Sequence, residues 1–196
     1  MFPSLKAGLV GVTRYWHADL PLLLDADPDV VSFTAETTKV TFEFEGEERV
    51  FRPDVQVDYR RSRQGVIALL REDEAILPEN VAAAQVLRSF YAERGMDFRV
   101  ITDQTLRVQP RLDNAQTFFR HRHLPVSMEH SMRLAKAVAE GRADTLGGLH
   151  GALGGDEAAW STLLALAAHG CIEVDLDEPL EAASPVLRVV GKGGLA

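Results

Sequence analysis

The stretch that most constrains the fold runs from Val50 to Arg71, VFRPDVQVDYRRSRQGVIALLR. A Pro-Asp pair, Pro53-Asp54, heads an apolar-alternating run through Val55 and Val57. A basic turn follows, Arg60-Arg61-Ser62-Arg63, and then a continuous apolar strand from Val66 to Leu70 that ends in Arg71. Alternation at period two is the mark of a strand with one buried face. Two such strands joined by a charged connection fix the local topology, and the rest of the chain has to be arranged around them.

Upstream, residues 1–12 read as a loose lead-in. From Thr13 to Asp25 the positions of Tyr15, Trp16, Leu20, Leu23 and Leu24 fit an amphipathic helix that Asp27-Pro28-Asp29 ends. Val30–Phe33 is a short strand, and Val40-Phe42-Phe44 pairs with the strand from Val50 through a Glu45-Gly46-Glu47 turn. Downstream, Pro78 begins a helix with Val81, Ala84, Leu87, Phe90 and Tyr91 on its apolar side and Gly95 as its stop. The strand Phe98–Ile101 follows, then Thr102-Asp103 and Pro110 introduce a basic helical stretch to His123. Strand, long helix and strand after a hairpin predict a mixed α/β sheet flanked by helices. Leu124-Pro125 is the expected domain boundary, giving domains 1–125 and 126–196. Beyond it, helical patterns at Ser127–Glu140, Asp144–Leu153 and Asp156–His169 precede two strands, Cys171–Leu176 and Val186–Val190, the outline of a small winged-helix-like domain. Residues Gly191–Ala196 read as a frayed tail.

Charge and cysteine usage narrow the classes of function. The net charge is −8, which discourages a strong autonomous nucleic-acid binder. Residues 1–126 hold 16 Lys+Arg against 19 Asp+Glu, whereas residues 127–196 hold 5 against 10. The cations of the first part cluster at Arg60, Arg61 and Arg63 and along Arg107, Arg111, Arg120 and Arg122, so any phosphate contact is expected there. The third helical pattern of the second part, DEAAWSTLLALAAH, has no Lys or Arg with which to meet a phosphate backbone. One cysteine, Cys171, excludes an intrachain disulfide and a cysteine-rich zinc site. No apolar run approaches a membrane span and no signal peptide is evident, so a cytoplasmic protein is expected.

With these elements in order, the chain resembles the TnsA endonuclease N-terminal-domain family, cleavage subunits of heteromeric transposases built on the PD-(D/E)xK nuclease scaffold. The resemblance covers roughly residues 15–125 and rests on LLLDADPDVVSF (22–33), RVFRPDVQV (49–57), GVIALLR (65–71) and FYAERGMDFRVITDQTLRVQPRLDNA (90–115). It implies a restriction-endonuclease-like fold, a Mg²⁺ cofactor, DNA as substrate and a transposase or recombinase partner. It also implies a catalytic set of a helical acid, a strand Asp, and an acid-x-Lys on the following strand. Those positions fall here near His17, on Asp54, on Leu69 and on Arg71. Only Asp54 is intact. Leu69 cannot ligate a metal, and Arg71 keeps a positive charge without the ability to lose a proton.

Three functions therefore stand open: a degenerate, non-cleaving accessory protein that binds DNA weakly or docks on a transposase or recombinase; an active Mg²⁺-dependent endonuclease with migrated ligands; and a protein-interaction module on a nuclease scaffold. The cofactor is none in the first and third, and Mg²⁺ in the second. At single residues the alternatives are equally concrete. Asp54 either ties down a strand start or is the remnant of a metal site. Arg71 pairs with Glu72 or Glu74, or holds phosphate. His17 packs beside Trp16, or ligates. Glu72-Asp73-Glu74 is a solvated loop, or a source of displaced carboxylates. His121, His123 and His130 lack the spacing of a standard metal site.

Overall fold

The structure, a computed structural model, describes residues 1–11 and 18–190. The first part of the expected N-terminal helix, with Tyr15, Trp16 and His17, and the Gly191–Ala196 tail lie outside the described residues. The chain divides into two compact units, Met1–Val108 and Gln109–Ala196.

The first unit opens on a short antiparallel pair, β1 (Phe2–Ser4) and β2 (Gly8–Val10), with buried Phe2 opposite buried Val10. The expected loose lead-in is thus ordered, because the next element supplies its partners. On helix α1 (Asp19–Ala26), the Asp25 carboxylate accepts from Ser4 Oγ at 2.6 Å and from the Leu5 amide at 3.1 Å. The Lys6 ammonium donates to the carbonyls of Leu24 (3.0 Å) and Asp27 (2.5 Å), groups that a helix end leaves without intrahelical donors.

Strand β3 (Val30–Thr34) follows, then the hairpin of β4 (Val40–Phe44) and β5 (Glu47–Phe51). Its two turn residues, Glu45 and Gly46, have φ of 55° and 80°, the left-handed pair that a two-residue hairpin loop requires. Strands β6 (Val55–Tyr59) and β7 (Arg63–Leu70) come next, joined by Arg60-Arg61-Ser62. A single turn, α2 (Glu72–Ala75), leads to helix α3 (Pro78–Ala92), strand β8 (Met96–Thr102) and the turn α4 (Asp103–Leu106). The sheet order is β3-β6-β7-β8, antiparallel at the first two junctions and parallel between β7 and β8. Parallel neighbours need a long return path, and α3 provides it.

The α3 side of this mixed sheet carries its main cluster: Phe42 and Phe44 from the hairpin, Val66 and Ala68 from β7, Leu87 and Tyr91 from α3, and Phe98 from β8. Tyr91 stacks on Phe98 with centroids 5.7 Å apart, and Phe51 meets the same ring edge-on at 5.8 Å. Burial of aromatic rings on this scale is worth roughly 2–3 kcal/mol each, so the β4–β5 hairpin is held by its two inward phenylalanines.

The second unit contains α5 (Arg111–His121), α6 (Met128–Ala139), α7 (Leu146–Leu153) and α8 (Glu157–Ala168), followed by the antiparallel strands β9 (Ile172–Val174) and β10 (Val186–Val189). Ser127, Thr145 and Asp156 each accept a hydrogen bond from the amide three residues on, so α6, α7 and α8 begin at side-chain caps. Gly148 is demanded by close approach: a Cβ there would lie 2.3 Å from the Arg142 carbonyl oxygen. Helix α8 buries Leu163, Leu164, Ala165 and Leu166 in succession. At about 100° per residue these four cover most of its circumference.

The division of the chain falls one helix earlier than the sequence suggests. Helix α5 buries Leu112, Asn114, Ala115 and Phe118 and packs against α8. The Asn114 amide donates to the carbonyls of Leu176 and Glu178, both at 2.9 Å. Those partners stand more than sixty residues downstream, which is why α5 belongs with the second unit rather than with residues 1–108. Among the described residues no helix is long and apolar enough to cross a membrane.

Candidate functional site

Asp54 immediately precedes β6 and stands beside the C-terminal end of β7. Its amide donates to the Ile67 carbonyl at 2.9 Å, and its carboxylate Oδ2 accepts from the Leu69 amide at 2.7 Å. The side chain thus continues the β6–β7 ladder by one rung. Leu69, in the position where the resemblance places a second acid, is half-buried and offers no ligand atom. Arg71 caps the start of α2: its guanidinium Nε lies 3.0 Å from Asp73 Oδ1, and its amide donates to Glu74 Oε2 at 3.1 Å. The ion pair lowers the Asp73 carboxyl below its usual range and raises Arg71 further. The partner of the Arg71 side chain is therefore Asp73, while Glu74 takes only the backbone amide.

Two further acids of the first unit, Asp103 just after β8 and Asp19 on α1, were not singled out in the sequence as candidate site residues. Asp103 Oδ1 accepts from the Glu72 amide at 2.9 Å and ties α2 to the end of β8. Asp19, on the first turn of α1, sits 3.4 Å from Arg107 Nε just after α4. The only sequence signal for Asp103 is the Thr102-Asp103 pair closing an apolar strand; nothing local announces Asp19, because its partner is 88 residues away.

The basic turn lies at the other end of the same strands. Six residues of extended chain separate Asp54 from Arg60, a span of about 20 Å. Arg61 and Ser62 adopt left-handed backbone, with φ of 60° and 54°. Arg63 is bonded to Asp29, lies 4.0 Å from Asp97, and has its guanidinium 5.2 Å from the centroid of Tyr59. Arg99 approaches the same ring at 5.7 Å and Asp97 at 3.8 Å. Gly65 leaves room for that ring, since a Cβ there would meet a Tyr59 ring carbon at 3.0 Å. Burial raises the Tyr59 phenol above its ordinary value, opposed by Arg99. The Arg60 amide donates to the Asp29 carbonyl at 2.8 Å. Nearby, burial lowers Lys6 to about 8 against the pull of Asp27 and Asp25, with Arg60 adding to the depression. The turn is a charge-balanced surface, and Arg61 is exposed with no ion pair among the described residues.

The remaining basic candidates fall in both units. Arg107 belongs to the first; Arg111, Arg120 and Arg122 belong to the second. Arg111 lies 3.8 Å from Asp177, Arg120 donates to Thr117 Oγ1 at 2.9 Å, and Arg122 sits 3.4 Å over the Phe119 ring while donating to its carbonyl. The histidines have local partners too. A ring nitrogen of His121 is 2.8 Å from the Thr117 carbonyl, and His130 completes the cap of α6 through the Ser127 amide. His123 is exposed.

A Mg²⁺ site requires several hard oxygen ligands in near-octahedral array. Asp54 offers one carboxylate with an oxygen already bonded to Leu69, and Leu69 and Arg71 offer none, so these residues do not fit the ion that the resemblance implies. Among the described residues, no group of three or more His, Cys, Asp or Glu side chains is placed to hold a metal. Comparison with protein-family models and with curated proteins finds no match for this chain.

Proposed function

We propose that the chain is a non-cleaving accessory protein on a restriction-endonuclease-like scaffold, TnsA-like in its first unit and winged-helix-like in its second, that works beside a transposase or recombinase and touches DNA weakly through phosphate. The observation that carries this reading is the bond from the Leu69 amide to the Asp54 carboxylate at 2.7 Å. The one acid retained from the resemblance acts as a rung of the sheet, in the place where a nuclease would use it on a metal.

The two-ended arrangement supports the same reading. Phosphate held at the Arg60–Arg61 turn would be about 20 Å from Asp54 along the strand. DNA engaged at the turn is therefore not presented to the acid end. The engagement of Arg63 by Asp29 and Asp97 favours a second reading, a protein-interaction module without nucleic acid, since those carboxylates compete with phosphate for the same cation.

Fluorescence anisotropy with labelled duplex DNA, run beside plasmid cleavage in Mg²⁺ and Mn²⁺, separates the readings. The expected result is no nicking, weak binding that falls steeply with salt, and a uniform loss across sequences when Arg60 and Arg61 are both changed to Glu. Nicking that disappears in Asp54→Ala protein would establish an active endonuclease instead. Absence of binding even at low salt would establish the interaction module.

A further inference from the structure

The arginine turn between β6 and β7 is tied to the N-terminal segment through one short loop, Asp27–Asp29, which joins α1 to β3. At the start of the loop the Lys6 ammonium donates to the carbonyls of Leu24 and Asp27, at 3.0 and 2.5 Å. The same Asp27 carbonyl accepts from the Val30 amide at 3.2 Å, and the Asp27 carboxylate accepts from the Asp29 amide at 2.9 Å. At its end Asp29 holds the turn twice, its carbonyl taking the Arg60 amide at 2.8 Å and its carboxylate the Arg63 guanidinium. Lys6, Asp27, Asp29 and the turn thus form one unbroken series of polar contacts.

On the reading that the arginine turn meets phosphate, we propose that Lys6 is its positioning residue, and that a proton on Lys6 and phosphate at Arg60–Arg61 strengthen one another. A charged ammonium donates more strongly than a neutral amine, so the protonated side chain holds the Asp27 carbonyl, and with it the loop, more firmly. With the loop held, the backbone of the turn is fixed before the anion arrives, and less ordering is left for binding to supply. Charge acts in the same direction. Burial lowers Lys6 to about 8; Asp27 and Asp25, at the end of α1, oppose that fall, and Arg60 of the turn adds to it. Phosphate at the turn offsets the Arg60 charge and so tightens the proton on Lys6. By linkage the proton tightens the phosphate by the same factor. Arg63, engaged by Asp29, anchors the turn, and Arg61 is exposed at its tip.

Fluorescence anisotropy of the full chain with labelled duplex DNA, at low fixed salt from about pH 7 to 9.5, tests the coupling, with circular dichroism as the check on folding. Wild-type affinity is expected to fall by about threefold or more across this range. Lys6→Arg, whose guanidinium stays charged throughout, is expected to keep its affinity as pH rises. Lys6→Met is expected to bind at the weaker level at every pH. All other titrating groups are common to the three proteins, so a difference between their pH profiles belongs to residue 6. Without DNA, the Arg60 amide followed by ¹⁵N NMR should titrate near pH 8 in the wild type and not in Lys6→Met. DNA binding with the same pH profile in wild type and Lys6→Met, or an Arg60 amide that does not titrate, would overturn the proposal and leave phosphate binding at the turn standing. No binding at any pH would overturn the reading of the turn and the proposal with it.

Discussion

Replacing Asp54 by Ala tests whether this acid is structural. The substitution removes a 2.7 Å bond from the Leu69 amide to an ionised acceptor at a half-buried strand start. Hydrogen bonds to charged groups contribute about 1.5–3 kcal/mol, and loss of one partner leaves the other paying its desolvation. An expected loss of about 2 kcal/mol lowers the thermal midpoint of a domain of this size by roughly 8 °C. Asp54→Asn keeps an acceptor oxygen and loses the charge, so about 1 kcal/mol is expected for it. Thermal and urea denaturation followed by far-ultraviolet circular dichroism give the overall change. Hydrogen exchange at the Leu69 amide locates it: protection should drop in the Ala protein and persist in part in the Asn protein. An Asp54→Ala protein as stable as the wild type, with the Leu69 amide still protected, would refute the reasoning and return Asp54 to the list of functional acids.

Two further expectations follow from buried polar groups. The Tyr91 hydroxyl is buried with no hydrogen-bond partner among the described residues, so Tyr91→Phe should keep the stack on Phe98 and stabilise the chain by about 1 kcal/mol in urea titration; a loss of stability would mean that the hydroxyl has a partner. Lys6 releases its proton near pH 8 when folded, against an ordinary value of 10.5, so the unfolded chain binds more protons between those limits. Stability should therefore rise as pH climbs from 8 to 10.5, by at most about 3 kcal/mol, and Lys6→Met should flatten that rise.

Local signals made much of the fold legible. Left-handed Glu45-Gly46 sits where an alternating pattern breaks, and Pro78 and Gly95 bracket α3 because one fits a helix start and the other tolerates the φ of 71° that follows its end. Ser127 and Asp156 mark α6 and α8 in the same way, whereas the pattern expected from Asp144 is capped one residue later, at Thr145. What escaped reading depends on distant partners. The β1–β2 pair is fixed by Asp25, about twenty residues on, and α5 is assigned to its unit by Asn114 reaching past β9. The candidate site was divided for a related reason. Asp54 and Arg60 are near in sequence, yet a strand separates neighbours in sequence by its full length. Proximity along the chain is thus a poor guide to a shared site when the intervening residues are extended.

The second unit gives the clearest case of structure choosing between surfaces that sequence leaves equivalent. Helices α6 and α8 are both expected from the sequence as helical patterns, and the winged-helix-like expectation gives α8 the reading position. Its four successive buried residues, Leu163 to Leu166, leave little circumference for a partner, and it has no Lys or Arg with which to approach phosphate. Helix α6 is the reverse. Only Leu134 and Ala137 are buried, and the apolar residues beside them face outward. An apolar face of this extent costs solubility unless something covers it. The apolar residues that this unit leaves outward thus lie on its second helix, whereas α8 places its own in the core.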